Sequence, residues 1–183
     1  MRHTHLVNYA LYQAGWFACV LGAAWNYPLT GLAIATVAVA IHVALATQRT
    51  IELRLLAIAT VVGLGVELVQ LGAGTYRFAS GTVIDRIPPP WLLALWAQLA
   101  TTFRYSLHYV FARWLPSLLF GAIGAPLAFL AGERLGAVTF LPSVTIALLR
   151  LSLCWGVAAL VFHFAVRSSS GSVPSAGAQL YRA

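Results

Sequence analysis

The chain contains no lysine and only four acidic residues, Glu52, Glu67, Asp85 and Glu133. Charged residues make up 8% of its 183 positions, against about a quarter in a soluble domain. That scarcity excludes a soluble enzyme, a disordered chain and a nucleic-acid-binding domain. All eleven basic residues are Arg, scattered singly, so the net charge of +7 builds no patch that could follow a phosphate backbone. No nucleic-acid partner is expected. The two cysteines, Cys19 and Cys154, lie inside apolar runs and read as small buried hydrophobes. There is no Gly-rich phosphate loop, no CxxC and no nucleophile elbow, and Ser117, Ser143 and Ser152 stand without motif context.

What the chain has is apolar length. Hydrophobic residues reach 61% and the mean hydropathy is +0.85. About 20 apolar residues cross a bilayer as a helix, and backbone groups there must be satisfied internally. Six runs qualify: Leu6–Trp25, Leu29–Thr47, Ile51–Leu71, Trp91–Phe111, Leu115–Glu133 and Ser143–Val166. None alternates with period two, which disfavours a barrel. The expected fold is an all-α polytopic membrane bundle of about six transmembrane helices over residues 1–167, followed by a disordered cytoplasmic tail, 168–183. The first run begins near Arg2 and contains Gly22-Ala23-Ala24, like a signal peptide. It lacks a clean A-x-A site and carries Asn8 and Gln13, so it is expected to be retained. The one long connection, Gly72–Pro90, ends in three prolines, which should stop any helix and set an extended approach. Trp91 and Trp96 after it suit an interfacial anchor.

Arginine placement sets orientation. With six spans, one side holds Arg2, Arg49, Arg54, Arg113, Arg167 and Arg182, and the other holds Arg77, Arg86 and Arg134. Six against three puts both termini in the cytoplasm of a cell whose inner membrane the chain crosses.

Three stretches carry a family resemblance: Asn8–Ala24, Leu95–Val110 (LWAQLATTFRYSLHYV) and Gly121–Val138 (GAIGAPLAFLAGERLGAV). They resemble a bacterial family of small multi-span inner-membrane proteins known only as a domain of unknown function. The resemblance covers most of the chain in order, brings no activity with it, and implies a gene setting near fatty-acyl-lipid modification. The chain departs from the family pattern at Arg104, where a small polar residue is usual. It departs also at Ala125 and Phe129, where Gly and Tyr are usual, and at Glu67, where Asp is common.

Gly124, Ala128, Gly132 and Gly136 recur every four residues, close to one helical turn, and form a smooth stripe. Such stripes let helices approach closely in lipid. Packing within the bundle is the first reading; a homodimer contact or a kink at Pro126 lining a cavity are the alternatives.

Ionisable groups inside a bilayer cost about 2.5–3.5 kcal/mol each on insertion scales, so each needs a partner or a task. Glu67 follows Arg54 by thirteen residues, Arg150 precedes Arg167 by seventeen, and Gln98 precedes Arg113 by fifteen. At about 1.5 Å per residue these depths match, which suggests a cluster of Glu67, Gln98 and Arg150. That cluster reads as a structural ion pair, a snorkelling Arg or an outward-opening site. A second group, Gln13, Arg104 and Tyr105, lies at comparable depth, with Asn8 and Ser106 within reach. There Arg104 could snorkel or hold a lipid phosphate. His42, His108 and His163 share one depth near the inner leaflet, which permits a metal or haem site. No H-x-x-x-H pair occurs; proton handling is a second alternative, and an interfacial or packing role is the simpler reading. No cofactor is expected.

Three functions stay open. The first is a non-catalytic accessory or partner subunit in membrane-lipid metabolism. The second is a small transporter or lipid carrier using Glu67, Arg104 and Arg150. The third is a membrane enzyme acting on acyl lipids through His108 with Glu67 or a bound metal. Expected partners are membrane lipids, with a membrane-protein partner or a second copy of the chain.

Overall fold

A computed structural model describes residues 2–141 and 143–170. The chain is mostly helical. α1 (Arg2–Ala24) and α2 (Pro28–Leu45) form a tight hairpin. Asn26 takes a left-handed φ of 65° in the turn, the Tyr27 N–H returns to the Gly22 carbonyl at 2.7 Å, and Pro28 starts α2 where no backbone donor is needed. Gly31 lies so close to α1 that an added Cβ would meet the Cys19 Cα at 2.5 Å. α3 (Arg49–Gly72) packs on α4 (Pro90–Ala100) and on the last helix, α8 (Val144–Ser170).

Between Gly72 and Pro90 the chain does not simply run extended. Tyr76–Phe78 forms β1, which pairs antiparallel with β2 (Val138–Phe140), Tyr76 opposite Phe140. This small pair ties the end of α3 to the entry of α8. Three-residue strands have too little alternation to announce themselves.

The expected fourth span, Trp91–Phe111, is not one helix. α4 stops at Ala100, residues 101–107 turn, and the short α5 (His108–Phe111) resumes. The cause is local. The hydroxyls of Thr101 and Thr102 bond back to the carbonyls of Gln98 (2.7 Å) and Leu99 (2.6 Å), and the backbone tightens to i−3 bonds over Thr101–Phe103. Buried backbone that leaves the helix needs other partners for its polar groups. Asn8 is one: its amide donates to the Thr101 carbonyl (3.1 Å), and its oxygen accepts from the Ser106 hydroxyl (2.7 Å).

The next rod is composite: α6 (Trp114–Leu119), a π-helical turn (Phe120–Gly124) and α7 (Ala125–Arg134). Pro126 cannot donate to the carbonyl four residues back, and its ring crowds that carbonyl, so the ladder slips by a residue just before it. The turn presses on α8 through Gly121, where a Cβ would collide with the Trp155 carbonyl oxygen.

Four helices are long and apolar enough to cross a membrane among the described residues: Pro28–Leu45, Arg49–Gly72, Trp114–Arg134 and Val144–Ser169. α1 has the length, but Asn8, Tyr9, Tyr12 and Gln13 dilute it. α8 continues through Ser168, Ser169 and Ser170, which were expected in the tail, with the Ser168 and Ser169 hydroxyls bonded to the Ala165 carbonyl. The rest of the expected tail, 171–183, lies outside the described residues.

Candidate functional site

α3 carries the two buried acids at opposite ends, Glu52 in its first turn and Glu67 near its last. Fifteen residues of rise separate them by roughly 22 Å. Each is satisfied in its own way.

Glu52 is 1% exposed. Arg104 reaches it from the turn segment at 2.8 Å, His42 meets its other oxygen at 3.1 Å, and Arg104 also hydrogen-bonds the Gln48 side chain. Tyr105 sets its ring edge against His42, centroids 5.0 Å apart. A carboxylate in the first turn also suits the helix dipole. Glu52 is the residue that sequence reasoning missed. Its signal was its place, an acid between Arg49 and Arg54 within reach of the Arg104 depth.

Glu67 is fully buried and has no cationic partner among the described residues. The Tyr76 hydroxyl donates to one oxygen at 2.6 Å and the Trp96 indole N–H to the other at 3.1 Å. Burial first, and then the charge of Glu67, push the Tyr76 hydroxyl well above the usual tyrosine range, so it stays a donor. The Trp96 ring lies flat on Trp155, centroids 3.9 Å apart.

The expected Glu67–Gln98–Arg150 cluster is therefore corrected. Arg150, early in α8, turns outward to the Ala73 carbonyl just beyond α3, at 2.8 Å. Its long stem lets the charge leave the bundle interior. Gln98 faces α1 and donates to the Leu11 carbonyl at 3.1 Å. The Gln13–Arg104–Tyr105 group also separates. Gln13 bonds Tyr9 on its own helix at 2.7 Å, and Asn8 is the α1 residue that reaches the turn segment. Nor do the three histidines converge. His42 meets Glu52, the His163 ring nitrogen bonds the Phe111 carbonyl at 2.8 Å, and His108 stacks on His5 with Tyr109 tilted against it. Among the described residues no three potential ligands gather to hold a metal.

The small-residue stripe does something other than close a helix contact. Gly124, Ala128 and Gly132 form one wall of an apolar cleft between α1, α4 and α7, with a cavity volume of about 100 Å³. The other walls mix aromatic rings, among them Tyr12, Trp16, Trp91, Trp96, Phe120 and Phe129, with aliphatic side chains such as Leu95 and Leu99. Gly121, one turn before the stripe, makes the close contact instead. Gly136 has left the helix, with φ 87° in the turn to β2. Trp91 and Trp96, expected as interfacial anchors, are 3% and 1% exposed and belong to the core.

These features define a mostly α-helical protein with four helices long and apolar enough to cross a membrane among the described residues, and an aromatic cleft between its helices. The family model described as a protein of unknown function, DUF2878, matches residues 5–161, and the chain belongs to that family. No curated protein and no solved structure matches it.

Proposed function

We propose that this protein is a non-catalytic factor of the bacterial inner membrane that holds an acyl chain in the aromatic cleft. It would serve membrane-lipid metabolism as an accessory or partner subunit. In this reading the chain passes the bilayer six times with both termini cytoplasmic. The broken α4–α5 segment makes the fourth pass, which fits Arg104 meeting the start of α3 while Trp91 bonds the Ser80 carbonyl near the end of α1.

The observation that carries the proposal is the lining of the cleft. It holds no Asp, Glu, His, Arg or Cys, and Tyr12 is its one ionisable side chain, so it offers a predominantly apolar surface. An engineered cavity of ~150 Å³ takes a benzene. About 100 Å³ therefore suits a short stretch of one chain, with the remainder lying in the mouth. The transporter reading draws less support, because Glu52 and Glu67 each end on protein partners instead of facing a common path.

Native mass spectrometry of the detergent-purified protein tests this. The wild type should carry a lipid adduct that survives mild activation. Ala128→Phe, which fills the cleft, should lose the adduct and keep its helical circular dichroism. An adduct that persists unchanged in Ala128→Phe would refute the assignment of the cleft.

A further inference from the structure

A second cavity opens beside the first. Its volume is about 470 Å³, and Arg77 and Arg86 line it together with Thr82, Asp85, Gly72 and Gly74. Phe78 of β1 belongs to the walls of both cavities, so one ring divides an aromatic cleft from a basic one.

The charge balance of the second cavity is positive. Asp85 is 97% exposed and meets Arg86 only at 3.9 Å, a solvent-screened contact. The Arg77 side chain stands outward from β1 with no ion pair or side-chain hydrogen bond among the described residues. Arg150 adds a third cation at the edge, held against the Ala73 carbonyl between the two lining glycines. Arg86 is held at a left-handed φ of 62°, where only a specific turn would keep a non-glycine residue.

Resting on the reading of the aromatic cleft as an acyl-chain site, we propose that the paired cavities bind an anionic phospholipid of the surrounding bilayer. A fatty chain would enter the cleft past Phe78 and the headgroup phosphate would sit between Arg77 and Arg86. Phosphate is the natural ligand of guanidinium forks at a membrane surface. The charge of the Arg set selects the headgroup, and the cleft selects only for a chain.

The test reconstitutes the full chain in nanodiscs of phosphatidylcholine doped with a minor fraction of phosphatidylglycerol. Retained lipid is then extracted and quantified after transfer to detergent. Near a surface each basic side chain contributes about 1 kcal/mol toward an anionic lipid, which is roughly fivefold. The wild type should therefore enrich phosphatidylglycerol by at least that factor over the bulk. The Arg77→Gln/Arg86→Gln variant should lose the enrichment while retaining the same total amount of lipid. Both positions are exposed, so the variant should fold.

Equal retention of both lipids by the wild type would overturn the headgroup assignment and leave the cleft reading standing. So would enrichment that survives in the variant. Loss of enrichment on adding millimolar inorganic phosphate, at constant ionic strength, would also overturn it, since the site would then take free phosphate. A wild type that retains no lipid at all would sink the cleft reading with it.

Discussion

Removing one or the other member of the Glu52–Arg104 pair should have unequal consequences. Glu52 is 1% exposed and Arg104 27%. Arg104→Met leaves the carboxylate buried with His42 as its remaining close partner, and an uncompensated buried charge costs about 3 kcal/mol or more. Glu52→Gln leaves a guanidinium that keeps its bond to Gln48 and can turn toward the interface, at a cost of about 1 kcal/mol. The double variant should resemble Glu52→Gln alone, giving a coupling energy of about 3 kcal/mol. The assay is reversible unfolding in mixed micelles followed by tryptophan fluorescence, with the four proteins of the cycle measured together. Equal and additive losses would refute the reasoning, because they would mean that Arg104 and Glu52 do not share a buried environment.

Other outcomes follow from single contacts. Gly121→Leu should prevent folding or cost more than about 3 kcal/mol, because the added side chain must enter the backbone of α8 at Trp155; thermal unfolding of the purified variant reads this. Tyr76→Phe removes one of two donors to a fully buried carboxylate and should cost about 1.5–3 kcal/mol in the same micelle assay. Asn8→Leu strips the bonds that satisfy the turn segment and should raise amide exchange over residues 101–107 more than elsewhere. A fluorescent protein fused after Ala183 should glow, and alkaline phosphatase fused there should stay inactive, if both termini face the cytoplasm.

The long helices were legible in the sequence because apolar length is the signal that lipid imposes, and α2, α3 and α8 follow their runs closely. The break in α4 was not, since Thr101 and Thr102 interrupt the apolar run only with hydroxyls that can cap their own helix. Depth along a helix could be counted, and so Asn8 was placed within reach of the Arg104–Ser106 level, where it bonds Ser106. Azimuth and reach could not be counted. Glu67 and Arg150 were therefore paired by depth, whereas Arg150 turns its charge out to Ala73, and Glu67 takes its donors from β1 and α4. The stripe Gly124–Ala128–Gly132 was visible as a pattern, but a smooth helix face looks the same against a neighbour or a cavity. Only Gly121, outside the four-residue repeat, marks the true crossing.

The central claim is that the aromatic cleft holds a lipid chain, and photocrosslinking tests it most directly. Membranes containing the protein are loaded with a phospholipid bearing a diazirine in its acyl chain, irradiated, and digested for mass spectrometry. Adducts should concentrate on Tyr12, Trp16, Phe120 and Phe129 and disappear from them in Ala128→Phe. Labelling spread evenly over exposed residues such as Leu149, Leu153 and Phe164, with no excess in the cleft, would contradict the account.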